Sequence, residues 1–240
     1  MPEISIKAER LFHIGSFVVT NSFLLSLLVF LFFVFLGIRY EYELRTGKRT
    51  TVYYLVTMIL RVLYDLFESI VHDKIAVFFP LLSGFFFWII VQNWSGLLPG
   101  VGSIFLKEGE ANIPLLRGNN ADINATLALA LVSVIMAQIY GVKYLGLKTY
   151  LSKFFNFKDP IYFVLGLLDI ISEASKVISF AFRLFGNIFA GEVLLTIVAF
   201  LVPVLASFPF IILEVFVGFV QALVFAMLTS VFFSIAVAKH

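Results

Sequence analysis

The sequence contains no cysteine and only 13% charged residues. The first absence excludes disulfides and thiolate metal sites, and the second excludes an ordinary solvated surface for a chain of 240 residues. Only three histidines occur, at positions 13, 72 and 240, all outside the apolar runs. There is no GxxxxGK[ST] phosphate loop and no HExxH pair, so nucleotide chemistry and zinc hydrolysis have no visible carrier. The net charge of +2 with scattered basic residues argues against nucleic acid as a partner. The opening MPEISIKAERLFHIG lacks a basic region followed by a short apolar stretch and a small-residue cleavage site, so the first apolar run reads as a retained span.

What is abundant is apolar surface. Hydrophobic residues make up 61% of the chain, 30 of them phenylalanine, and mean hydropathy is +1.04. No soluble core of this size could hide so much, so the reading is an all-α integral membrane protein. Five apolar runs, at about 16–37, 77–99, 124–146, 161–203 and 209–237, are each long enough to cross hydrocarbon, which takes ~20 helical residues. The whole chain, 1–240, is expected to form one membrane domain. Between the first two runs, residues about 62–76 place Leu63, Leu66, Phe67, Ile70 and Val71 on one face and Asp65, Glu68, His72 and Asp73 elsewhere. That pattern suits a helix lying along the inner membrane surface, and a cytoplasmic extension of the second span is the alternative.

With the N-terminus outside, eleven Lys and Arg fall in inner connections and at the tail, whereas Lys7, Arg10, Lys107 and Arg117 fall outside. The asymmetry predicts an outer N-terminus and a cytoplasmic C-terminus. The run 161–203 would extend ~60 Å as a helix, about twice the hydrocarbon thickness. It is expected to tilt steeply, bend or run partly along the bilayer, and to form a long hairpin with the last run.

Ionisable residues inside membrane spans are costly and face protein or water, and the last two runs hold Asp169, Glu173, Lys176, Arg183, Glu192 and Glu214, with Asn187 and Gln221. Asp169, Lys176, Ser179, Arg183 and Asn187 follow one another at seven, three, four and four positions, so they share one stripe. Glu192 lies nine positions beyond Arg183, roughly 180° around the helix. In a hairpin turning between Pro203 and Pro209, Arg183 comes level with Gln221 and Glu192 with Glu214. Two carboxylates at one level could share a proton. A guanidinium stays charged where a buried lysine can lose its proton, so Arg183 would supply a fixed positive potential to any carboxylate brought near it, including one on another subunit. The competing structural reading pairs Arg183 with Asp169 or Glu173; Gly186 and Gly191 would then serve close packing, Lys176 would snorkel, and Gln221 would join two helices.

FRLFGNIFAGE at 182–192 resembles the signature of subunit a of the F-type ATP synthase membrane sector. NATLALAL at 124–131, QNWSGLLPG at 92–100, QALVFAMLTSVF at 221–232 and Val19–Thr20–Asn21 resemble other parts of that family, so the likeness spans nearly the whole chain. It departs from some relatives in carrying Glu214 where they have histidine and Gly96 where they often have an acidic residue.

The resemblance implies a non-catalytic, proton-translocating stator subunit with no cofactor or metal, facing a ring of c subunits that each carry one membrane carboxylate. Its further partners would be peripheral-stalk b subunits, the remainder of the synthase and membrane lipid, in a bacterial plasma (inner) membrane. It further implies an outer half-channel through Glu192, Glu214 and Gln221 with Asn187 near the transfer point, an inner one past Asp169, Glu173 and Ser179, and Arg183 between them. A secondary transporter would instead show an internal repeat and broken helices in both halves; neither is visible. A plain membrane anchor would not need the charged layers.

Overall fold

The computed structural model describes residues 8–98, 100–101, 104–108, 111–154, 160–201 and 207–238. Most of the expected turn between Pro203 and Pro209, together with Lys7, Lys158, Lys239 and His240, lies outside them.

The chain opens with an antiparallel ribbon of β1 (Arg10–Ile14) and β2 (Phe17–Thr20). Helix α1 (Asn21–Thr46) therefore starts later than the expected boundary of 16: pairing occupies 17–20, and Thr20 Oγ1 then accepts from the Phe23 N–H at 3.3 Å to cap the helix. Gly47 ends α1 in the left-handed region at φ 70°. The buried Glu43 carboxylate takes the Thr50 N–H at 2.9 Å and Arg39 Nε at 2.9 Å, and so starts the next helix.

That helix, α2 (Thr51–Val71), is much longer than the segment expected over 62–76. Tyr53, Leu63, Phe67 and Val71 are buried, whereas Arg61, Asp65 and Glu68 are exposed, which gives the amphipathic face. His72, at φ 53°, and a 3₁₀ turn through Lys74 separate α2 from α3 (Ile75–Ser95). The turn at His72–Lys74 interrupts one long run that carries both the amphipathic face and the second span.

A second ribbon pairs β3 (Phe105–Glu108) with β4 (Ala111–Pro114). After a 3₁₀ turn at Asn119–Ala121 come α4 (Ile123–Leu145), the short α5 (Leu147–Phe154), α6 (Pro160–Leu201) and α7 (Ser207–Val237). Five segments among the described residues are long and apolar enough to cross a membrane: α1, α2 with α3, α4, α6 and α7. The protein is a multi-pass, helical membrane protein, and its two ribbons are short additions outside the helices.

Helix α7 sits at the centre, against α2, α3, α4 and α6. Aromatic pairs fix the registers: Phe85 and Phe180 meet Phe225 at 5.4 and 4.8 Å, and Phe78 meets Phe233 at 5.3 Å between ring centroids. Ala130, Ala137, Ala222 and Ala226 are fully or nearly fully buried, small residues that allow close backbone approach in a membrane bundle. Helix α6 runs unbroken for 42 residues, so tilt or curvature must absorb its length. Only 11% of its most apolar window is buried within the chain, leaving one long side of α6 for lipid or a partner.

Candidate functional site

The polar side chains of α6 and α7 divide into two groups with Arg183 between them. Arg183 lies on the exposed side of α6, beside Phe182 and Ile178, which are 57% and 58% exposed. Its Nη2 donates to Ser179 Oγ at 3.3 Å, one turn back, and its guanidinium carbon stands 6.0 Å from the Phe180 ring centroid. Among the described residues no carboxylate lies within ion-pair distance of it. The intramolecular alternative loses Glu173, because that carboxylate accepts from Lys176 Nζ at 2.6 Å and Gln138 Nε2 at 3.0 Å. Lys176, expected to snorkel, is held in that pair with its ammonium 4.6 Å above the Phe232 ring.

From Arg183 toward the start of α6 runs a groove of about 280 Å³, lined by Ser172, Ser175, Lys176, Ser179 and Arg183 and walled by Phe232. Glu173 lies on this stretch of α6 and Asp169 one turn earlier, partly exposed. A hydrogen-bonded chain leads on from Glu173 through Gln138 to Tyr150 on α5, whose hydroxyl donates to Gln138 Oε1. Burial first, and the Glu173 charge second, push the Tyr150 phenol up to about 12, so it remains a donor at neutral pH.

In the other direction, Asn187 Nδ2 donates to the buried Gln221 Oε1 at 2.8 Å. The sequence reading set Gln221 level with Arg183; the bond places it one turn further along α6. One more turn on, the Glu214 carboxylate lies against the backbone of Gly191, in space that any Cβ at 191 would fill. The close approach therefore joins a side chain to a helix, more specific than the small-residue packing expected of Gly191. Glu192, beside it, has a partner that sequence spacing missed: Arg117 Nη2, at 3.2 Å. Arg117 belongs to the loop before α4 and is only 7% exposed, so it turns inward instead of lying in outer solvent. The sequence signal was weak, a single arginine between an apolar run and Gly118.

Near this end the bundle also holds buried amides. Asn93 Nδ2 donates to the Gly218 carbonyl at 3.0 Å, and Asn120 Nδ2 to Asn93 Oδ1 at 2.6 Å. The Gln92 side chain is fully buried with neither amide atom bonded to protein, a situation that buried water resolves. No group of three metal-ligating side chains is found among the described residues.

The family profile described as ATP synthase A chain matches residues 19–234. The chain is similar to ATP synthase subunit a of Moorella thermoacetica, with 29% identity over 239 residues that cover 98% of this chain and 99% of the relative. It is also similar to subunit a of Buchnera aphidicola subsp. Baizongia pistaciae, 30% identical over 95% of this chain and 87% of the relative. A chloroplastic subunit a from Stigeoclonium helveticum is 35% identical over 67% of this chain and 61% of its own length.

Proposed function

The chain belongs to the ATP synthase A chain family, a proton-translocating component of ATP synthase, and from that premise we propose that Arg183 separates two aqueous half-channels that open toward a rotating ring of c subunits. The observation that carries this reading is the position of Arg183: an exposed permanent cation on α6, lining the groove that α7 walls with Phe232, with no carboxylate among the described residues at ion-pair distance. A charge so placed in a membrane segment is costly unless water or a partner meets it. A ring carboxylate passing along α6 is the complementary charge.

The N-terminus faces outside, and the helix ends bearing Glu192 and Glu214 face the same way. A proton arriving there passes by Glu192, Glu214, Gln221 and Asn187 to a ring carboxylate. The buried Gln92 and the asparagines beside it support a hydrated route at that end. The protonated ring site, now neutral, can enter lipid. After nearly a full turn it returns to the opposite side of Arg183 and releases its proton into the groove beside Ser179, toward Glu173 and Asp169. The guanidinium favours the ionised ring carboxylate and cannot itself take or give the proton under ordinary conditions. Protons therefore cross only by riding the ring, and each contributes ~2.3 kcal/mol per 100 mV. ATP chemistry lies in other subunits, and b subunits of a peripheral stalk would hold the chain static. The membrane is a bacterial plasma membrane in this reading.

The test is Arg183→Ala in the whole synthase, reconstituted in vesicles with the c ring confirmed to be present. Proton-driven ATP synthesis should disappear. Normal synthesis by that variant would end the proposal.

A further inference from the structure

We propose that Arg117 is a positioning residue for proton access from outside, holding the Glu192 carboxylate, next in sequence to the Gly191 notch where Glu214 docks, from a loop that the bundle clamps in place. The proposal rests on the two-half-channel reading above and adds to it a residue outside both spanning helices.

The clamp is built from several contacts. Gly118, next to Arg117, lies so close to Gly96 that a Cβ at 96 would stand 3.3 Å from the Gly118 Cα. This contact gives a steric reason for glycine at 96. Asn120 reaches Asn93 at 2.6 Å, and Asn93 in turn holds the Gly218 carbonyl of α7 at 3.0 Å, one turn beyond Glu214. Asp122 caps α4 through the Asn124 N–H at 2.9 Å, and Ser22 Oγ of α1 donates to its other oxygen at 3.4 Å. The loop is thus tied to α1, α3 and α4, and through Asn93 to α7 one turn beyond Glu214.

Arg117 projects from this braced loop to Glu192 at 3.2 Å. Its 7% exposure distinguishes it from a solvated surface charge, and a buried cation deprived of its partner is strongly unfavourable. The planar fork of a guanidinium fixes a carboxylate in orientation, which a lysine ammonium does not. Glu192 is accordingly set from the loop, while Glu214 is set by the notch at Gly191.

The experiment measures proton flux through the reconstituted complex for Arg117→Ala, Arg117→Lys, Glu192→Gln and the double variant Arg117→Ala/Glu192→Gln, with the amount of assembled complex determined for each. Misplacing a reacting group by ~1 Å can cost on the order of a hundredfold. Arg117→Ala should therefore lower flux by roughly ten- to a hundredfold, Arg117→Lys should recover part of it, and the double variant should be no worse than Glu192→Gln alone. Wild-type flux in Arg117→Ala, or losses that multiply in the double variant, would overturn the proposal. Should Arg117→Ala fail to assemble, Gly96→Ala displaces the loop by only a few tenths of an ångström; reduced flux in an assembled complex supports the role, and unchanged flux refutes it. Arg183→Ala is run in parallel. Its retaining transport would bring down the half-channel reading, whereas a silent Arg183→Ala beside a normal Arg117→Ala removes only the role of Arg117.

Discussion

The Glu214 carboxylate of α7 rests in the notch that Gly191 leaves in α6, so that a methyl group at 191 and the carboxylate compete for one volume. A flexible side-chain end can move aside at little cost. Gly191→Ala should consequently leave stability unchanged or raised, since alanine is favoured over glycine in a helix by ~1 kcal/mol, while proton flux falls. Thermal unfolding and vesicle flux on the same preparation separate the two. A variant with normal flux would show that Glu214 need not lie there.

Glu192 on α6 is met from the loop by Arg117, and Glu214 of α7 docks against its sequence neighbour Gly191. Replacing both with glutamine should impair proton admission from the outer side, leaving ring assembly intact. Acid-pulse ATP synthesis is the direct readout. An unaltered rate would exclude this pair from the route.

Asn187 and Gln221 bridge α6 and α7 by a 2.8 Å hydrogen bond. In membrane bundles such bonds contribute ~0.6 kcal/mol on average and at most ~1.7. A double-mutant cycle with Asn187→Leu and Gln221→Leu should return a coupling in that range. If the two amides also line the proton route, each single variant should slow flux by more than this small energy explains.

Tyr150, with its phenol pushed up to about 12 by burial and by Glu173, should ionise well above the ordinary tyrosine value of ~10. The folded value is raised, so its stabilising contribution is complete below about pH 10 and is lost as pH rises toward 12. Difference absorbance between the protein and its Tyr150→Phe variant reports this ionisation. A midpoint near 10 would mean that the phenol is not buried. Tyr150→Phe should cost ~1 kcal/mol through the lost bond to Gln138.

Much of the architecture was legible because lipid imposes a simple rule: long apolar runs must be helical, and charges within them must find a protected place. Helix ends were less legible. Asn21 and Thr51 begin helices because Thr20 and Glu43, seven residues before Thr50, provide hydrogen bonds there, and the second of these depends on the chain turning at Gly47 so that a residue of the preceding helix reaches the start of the next. The hairpin arithmetic brought Glu214 to the level of Gly191 and Glu192 but set Gln221 one turn away from its partner, since real packing shifts register by a few residues.

By itself the sequence determined the membrane class, the stripe of polar residues on α6 and the presence of an unquenchable cation at 183, because periodicity and burial cost are properties of the chain. Only the tertiary structure decided which charges are satisfied within the chain: Lys176 takes Glu173, Arg117 takes Glu192, and Arg183 stays exposed on a groove with no carboxylate among the described residues at ion-pair distance. Those choices depend on distances of a few ångströms between segments as much as 75 residues apart, and no spacing along one helix can supply them.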